Sequence, residues 1–262
     1  MMDPVDSVRS GPWRVDCLVD GGMTFGTDVF ANVAPARQAE LLGAAGLSAA
    51  VTEFNAYLMR HDDGRIWLVD TGCGSICGPE GGQLPDRLAS AGIAPGDISR
   101  VILTHLHADH CGGLLGSGAA LFADAEILLH PDEVAHWRDT EAPGAQVLKT
   151  CADRLRLVGS DADLGADVRV WALPGHTPGH FGLRIGDDLV LAGDIVHSEA
   201  LQLPDPENAT QFDVDPAQAL ASRRAALAEI AERNLVWSGS HLIGAKFARL
   251  DRAGDGFAKL ET

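Results

Sequence analysis

Short apolar-rich stretches recur along the chain, divided by turn signals, and their period switches between that of a strand and that of a helix. Residues 51–59 and 65–69 flank Asp62-Asp63-Gly64 and predict a hairpin. Residues 100–104 (Arg-Val-Ile-Leu-Thr) and 126–129 have the form of short buried strands, with a helix predicted at 84–91. Residues 131–138 predict a helix with Pro131 in its first turn. Strands follow at 168–173, 180–185 and 189–192, the last two joined by Gly186-Asp187-Asp188. The clearest helix is 216–233, with Asp215 as N-cap before Pro216 and Leu220, Leu227 and Ile230 on its apolar face. A strand at 235–238 and a hairpin around Gly254-Asp255-Gly256 close the chain. The Ala- and Gly-rich stretch 34–50 predicts a surface excursion. Early β structure followed by alternating β and α predicts a layered α/β domain.

Composition sharpens this picture only in part. At 262 residues, with 46% hydrophobic and 22% charged, the chain has ordinary globular usage, which excludes disordered and collagen-like architectures. The length predicts one domain over 1–262, with 1–50 as an N-terminal strand and the surface excursion. The formal net charge of -17 argues against a nucleic-acid partner, because phosphate binding needs clustered cations. No apolar run approaches the ~18 residues that predict a membrane span. Met1 to Ser10 carry two Asp and one Arg and no apolar stretch, so no secretory leader is predicted and a cytoplasmic location is expected. Five scattered cysteines do not form a disulfide framework, and Cys73 and Cys77 lack the second pair that a zinc knuckle needs.

The chemistry is concentrated in Thr104-His105-Leu106-His107-Ala108-Asp109-His110-Cys111-Gly112-Gly113, directly after a predicted strand. His105 and His107 are two apart, so on an extended segment both rings point the same way and can hold one cation. Asp109 and His110 follow once the chain has turned and face a second position. Gly112 and Gly113 are expected to let the backbone turn tightly into a helix close by. Neutral imidazole and carboxylate suit zinc and similar first-row ions. Three more candidates stand near strand ends: His176 in Pro174-Gly175-His176-Thr177-Pro178-Gly179-His180, Asp194 in Gly193-Asp194, and His241 in Ser240-His241-Leu242.

With Leu68-Val69-Asp70-Thr71-Gly72, these motifs resemble the metallo-β-lactamase-fold metallohydrolases over nearly the whole chain from Trp13 onward. The resemblance implies an αββα sandwich, four layers of α/β structure with the metals at one edge. It implies that His105, His107 and His176 bind one metal, that Asp109, His110 and His241 bind a second, and that Asp194 bridges them. Asp70 matches a position beside the cluster, and His180 is assigned a supporting rather than a ligating place. Residues 193–197, 201–206 and 211–215 are most similar to the methyl parathion hydrolase subgroup and its lactonase- and esterase-like relatives. The chain is not expected to resemble glyoxalase II, the hydroxyacylglutathione hydrolase, because that family's basic C-terminal helices have no obvious counterpart here.

The cofactors implied are two divalent metal ions, zinc foremost. A water bridging two cations ~3.5–4 Å apart loses a proton near neutral pH. The implied reaction is hydrolysis of a small-molecule ester or lactone, with Asp109 and Asp194 tuning the charge at the catalytic centre and phosphotriesters as a promiscuous substrate class. The seven-residue set favours this over a single-iron oxidoreductase of the persulfide dioxygenase type on the same fold. His197, three residues past Asp194, is a candidate for the pocket wall. Loops 22–50, 73–83 and 200–211 are expected to decide the substrate, and relatives of this kind form homodimers through the N-terminal excursion. Aromatic residues are 5% of the chain, which predicts a pocket poor in aromatics, and the one tyrosine, Tyr57, lies in a predicted strand far from the histidine run. Cys111 and the five tryptophans are expected in packing, and His61, His130 and His136 at the surface or at helix caps.

Overall fold

The computed structural model describes residues 6–115 and 118–261. The chain builds one seven-stranded sheet and then a second, each in strict sequence order. The first holds β1 (Ser7–Ser10), β2 (Trp13–Phe25), β3 (Ala50–His61), β4 (Ile66–Val69), β5 (Arg100–Ile102), β6 (Glu126–Leu129) and β7 (Leu155–Leu157). The second holds β8 (Asp163–Gly165), β9 (Val168–Ala172), β10 (Phe181–Ile185), β11 (Leu189–Leu191), β12 (Val236–Ser238), β13 (Ala248–Ala253) and β14 (Gly256–Glu261). Pairing is antiparallel from β1 to β4 and parallel from β4 to β7; in the second sheet only β11 and β12 run parallel.

Helices α1 (Pro35–Ala44), α2 (Leu84–Ser90), α3 (Ala108–Cys111), α4 (Gly118–Leu121), α5 (Pro131–Trp137), α6 (Pro143–Thr150), α7 (Glu199–Gln202) and α8 (Pro216–Glu232) complete the order. The facing sides of the sheets interlock through Val15, Met59, Trp67 and Ile102 from one and Val170, Phe181, Leu183 and Leu191 from the other. Leu84, Leu88, Val147 and Leu148 of α2 and α6 cover the outside of the first sheet, and Ala226, Leu227 and Ile230 of α8 cover the second. The result is the expected four-layer αββα sandwich.

Local signals were sound where the element depends on near neighbours. The hairpin at Asp62-Asp63-Gly64 joins β3 to β4, and Asp215 caps α8 by accepting from the Gln218 N–H at 3.0 Å. The stretch 34–50, expected as a surface excursion, is mostly exposed and holds a helix that was not anticipated. Gln38, Leu41 and Leu42 of α1 are buried, and the two leucines pack with Phe25, Phe30 and Leu201. Gly112 and Gly113 do turn the chain tightly, but on leaving a helix rather than on entering one. The helix precedes them, both have ordinary negative-φ backbone, and a Cβ on Gly113 would lie 2.0 Å from the Thr71 carbonyl oxygen. The two glycines form a 3-10 turn over Gly112–Leu114, and it is close approach to the loop after β4 that requires glycine there. No helix among the described residues is long and apolar enough to cross a membrane.

Candidate metal centre

The parallel strands aim their C-terminal ends at one edge of the sandwich, where loops can carry functional side chains without disturbing the ladders. His105, His107, Asp109 and His110 follow β5, His176 lies between β9 and β10, Asp194 follows β11 and His241 follows β12. All seven sequence-predicted residues meet there. His105 Nε2 is 3.0 Å from His107 Nδ1, which is 2.9 Å from His176 Nε2. Around a second point, His110 Nε2 and His241 Nε2 lie 3.5 and 3.6 Å from Asp109 Oδ2. Asp194 Oδ2 stands between the groups, 3.4 Å from His176, 3.8 Å from His105, 3.2 Å from His110 and 2.9 Å from His241.

The far nitrogens of these rings are held by neighbours that leave the near ones free. His110 Nδ1 donates to Asp70 Oδ2 at 2.8 Å, His176 Nδ1 to Asp213 Oδ1 at 3.0 Å, and His241 Nδ1 to the Glu53 carbonyl at 3.0 Å. Each contact fixes a tautomer with the Nε2 lone pair turned inward, as a ligand requires. Asp70, expected beside the cluster, sits there in left-handed backbone (φ 60°) and also accepts from the Thr104 N–H and hydroxyl. His180 is fully engaged, donating from Nδ1 to the Leu173 carbonyl at 2.8 Å and accepting the Asp194 N–H on Nε2 at 3.0 Å. It orients the Asp194 backbone and has no nitrogen left for an ion.

The donor set fits divalent cations. His110 Nε2 and Asp194 Oδ1 are buried without a hydrogen-bond partner, and three imidazole nitrogens crowd one point. Ligand atoms about 2.0–2.1 Å from a tetrahedral zinc lie roughly 3.3 Å apart, close to the spacing within each group. The electrostatics agree. Burial alone would lower His110, but Asp194, Asp109 and Asp70 outweigh it and hold the imidazole well above its ordinary range. Burial is likewise outweighed at His176, where hydrogen bonds to Asp194 and Asp213 raise it to about 9. Burial, reinforced by neighbouring imidazoles, keeps His105 and His107 well below the ordinary value. Asp194 is held well below the carboxylate range because His110, His241 and His105 outweigh its burial. The same negative field favours a bound cation.

Several supporting groups escaped the sequence reading. Glu133 on α5 is fully buried and accepts from the Leu106 N–H (3.0 Å), the Gly179 N–H (2.9 Å) and Trp137 Nε1 (2.8 Å). It ties the His105–His107 segment to the His176 loop across the two sheets. Trp137, expected in packing, is half-buried with its ring edge-on to His107 at 5.4 Å. The other four tryptophans are core residues as expected, and His130 caps α5 through Nδ1. Asp213 is gripped by Arg223. No periodicity singles out Glu133 or Asp213; only the folded chain brings them to the histidines.

Beside the cluster lies a cavity of about 310 Å³ walled by Met23, Phe25, Phe54, Cys77, Phe212 and His197. The pocket expected to be poor in aromatics therefore holds three of the eight phenylalanines. Low aromatic content limits how many are available, not where they gather. Two of the three loops expected to decide the substrate contribute, through Met23, Phe25 and Cys77; the third stops one residue short of Phe212. His197 lines the wall, as expected. Tyr57 does not: it is buried between the sheets with its hydroxyl on Ser238.

A four-layer αββα sandwich with a His/Asp cluster at its strand ends is the metallo-β-lactamase architecture. Residues 54–241 match the family model described as the metallo-beta-lactamase superfamily, and the chain belongs to that superfamily. It is 32% identical to human metallo-beta-lactamase domain-containing protein 1 over 61% of this chain and 53% of that protein. It is 33% identical to the N-acyl homoserine lactonase AiiB of Agrobacterium fabrum over 31% of this chain and 34% of that one. The chain thus spans about half or less of the length of these relatives. Among solved structures, AidC, a dizinc quorum-quenching lactonase held with a product, superimposes with a TM-score of 0.91 at 22% identity, covering 98% of this chain and 97% of AidC. Against the expectation drawn from the missing basic helices, similarity extends to hydroxyacylglutathione hydrolase of Acidiphilium cryptum, 29% identical over 71% of this chain and 69% of that enzyme.

Proposed function

We propose that the chain is a dinuclear metal-dependent hydrolase that opens lactones or cleaves esters of small molecules bearing an apolar group. The observation that carries this reading is the meeting of seven donors from both sheets beside an apolar cavity. On this reading His105, His107 and His176 would hold one cation and Asp109, His110 and His241 the other, with Asp194 shared between them; zinc would suit this set. When bound, the cations supply a water nucleophile at neutral pH and polarise the scissile carbonyl.

The chain's own residues do the rest. Asp194 and Asp109 set the negative charge of the centre, and Asp70, Asp213 and the Glu53 carbonyl hold the ring tautomers. Phe25, Phe54 and Phe212 bury the apolar part of the substrate and exclude bulk water from the reacting bond. The similarity to the AiiB lactonase supports the lactone assignment.

The test is elemental analysis of the purified protein together with turnover on lactones, aryl esters and phosphotriesters. About two zinc ions per chain with lactone or aryl-ester hydrolysis is the expected result. One iron per chain with oxygen consumption would overturn the proposal in favour of redox chemistry. Asp194→Ala and His107→Ala are each expected to reduce metal content and turnover together, and full activity in either variant contradicts the assigned ligands.

A further inference from the structure

His197 is the one buried imidazole of the site whose nitrogens are both unpartnered: neither Nδ1 nor Nε2 has a hydrogen-bond partner, and the residue is 1% exposed. An unmade hydrogen bond of this kind costs about 1–3 kcal/mol, so the group is held here against its own preference. Its ring is fixed from two sides, stacked on His241 at 4.9 Å between centroids (22° between planes) and tilted against Phe212 at 5.8 Å. Its main chain is fixed as well. The Gln202 carboxamide oxygen accepts the N–H groups of His197 (2.6 Å) and Ser198 (3.2 Å), and Gln202 Nε2 donates to the Asn208 carbonyl. The Nε2 atom lies 3.4 Å from Asp194 Oδ2, at the border between the donor cluster and the apolar cavity.

Two roles suit such a ring: an eighth metal ligand or a group that contacts substrate. The donor count argues against the first. Asp194, His197 and His241 offer atoms within 4.8 Å of one another, so spacing alone allows it, but Asp109, His110 and His241 with the shared Asp194 already supply the four donors that a tetrahedral zinc takes. An imidazole carries at least one N–H in either protonation state. We infer that His197 is a substrate-contacting catalytic residue, donating an N–H from the cavity wall to the acyl oxygen on which negative charge develops during hydrolysis. The inference deepens the proposed lactone or ester hydrolysis and rests on it. A donor clamped in advance by Gln202, His241 and Phe212 needs no reorganisation as the charge appears, which is what makes such a group effective.

The experiment compares wild type, His197→Phe and His197→Gln, each loaded with zinc, on an acylated γ-lactone and an aryl ester. Metal content and thermal midpoint are measured on the same samples. Phe preserves the stacking and removes the donor; Gln places an amide N–H near the Nε2 position. All three proteins are expected to hold equal zinc. His197→Phe is expected to lose about 10²–10³-fold in kcat with KM changed less than about threefold, and His197→Gln to recover at least a tenth of the wild-type rate. Metal-replete His197→Phe with wild-type kcat overturns the inference and leaves the hydrolase reading standing. Loss of one zinc from both variants overturns it by making His197 a ligand, and a zinc-loaded wild type inert on every substrate overturns both.

Discussion

Glu133 shows how much of the site depends on a residue that bonds to none of the seven clustered side chains. Its carboxylate is the sole acceptor for three N–H groups drawn from the loop after β5, the loop after β9 and α5 itself. Hydrogen bonds to a buried charge are worth about 1.5–3 kcal/mol each, and leaving such donors unpaired costs a similar amount. Glu133→Gln keeps the shape but turns an amide NH₂ toward N–H groups, so at least one of them loses its acceptor. The expected outcome is a loss of about 2–3 kcal/mol in denaturant unfolding. Zinc affinity should weaken about 10–100-fold in a chelator competition, since outer partners tune metal sites by that much. Unchanged affinity would show that the two loops hold their places without this carboxylate.

Elements, rather than single side chains, decide where Asp194 sits. The turn after β11 places Gly193 at φ +53°, and a Cβ there would lie 2.3 Å from His180 Nε2, the atom that accepts the Asp194 N–H. Gly193→Ala therefore forces a strained backbone and pushes His180 aside. It is expected to cost at least about 1–3 kcal/mol and to lower metal content, checked by thermal melting and elemental analysis. On the outer layer, Arg184 of β10 holds Glu229 of α8 through two bonds of 2.7 and 2.8 Å. The Arg184 bond, aided by Arg233, lowers the Glu229 carboxyl below its ordinary value despite partial burial. A carboxyl lowered on folding contributes stability that is complete above about pH 4.5 and is lost as pH falls through the lowered value. Glu229→Gln is thus expected to melt below wild type at pH 7, by no more than about 1 kcal/mol for so accessible a pair, and the gap should close toward pH 3. A gap that persists at pH 3 would assign the effect to packing. Elements of this local kind were legible in the sequence: the Asp215 cap and the Asp-Asp-Gly hairpin each rest on a few adjacent residues. Helix α1 was not, because its Ala- and Gly-rich sequence shows little but Leu41 and Leu42 as an apolar face, and what makes it a helix in place is the distant cluster of Phe25, Phe30 and Leu201.

For the whole molecule, the same division separates the donors from their surroundings. His105, His107, Asp109 and His110 stood out because their chemistry is written in adjacent positions; His176, Asp194 and His241 stood out because each interrupts the end of a strand. Phe25, Phe54 and Phe212 carried no such mark, since a phenylalanine reads as core until the fold leaves it facing a cavity. The donors also divide between the sheets. The four of the histidine run belong to the first, and His176, Asp194 and His241 belong to the second. Cations held by this set would cross-link the two sheets, which share no disulfide because the chain's five cysteines are free. A ligand present at 100 times its dissociation constant stabilises the native state by about 2.7 kcal/mol, which for a chain of this size is about 5–10 °C in the thermal midpoint. Chelation is therefore expected to lower the midpoint by that amount and added zinc to restore it, whereas Asp194→Ala, which lacks the bridging carboxylate, should respond to neither treatment as strongly. A wild-type midpoint that ignores both chelator and zinc would mean that the seven side chains meet without binding a cation across the sheets.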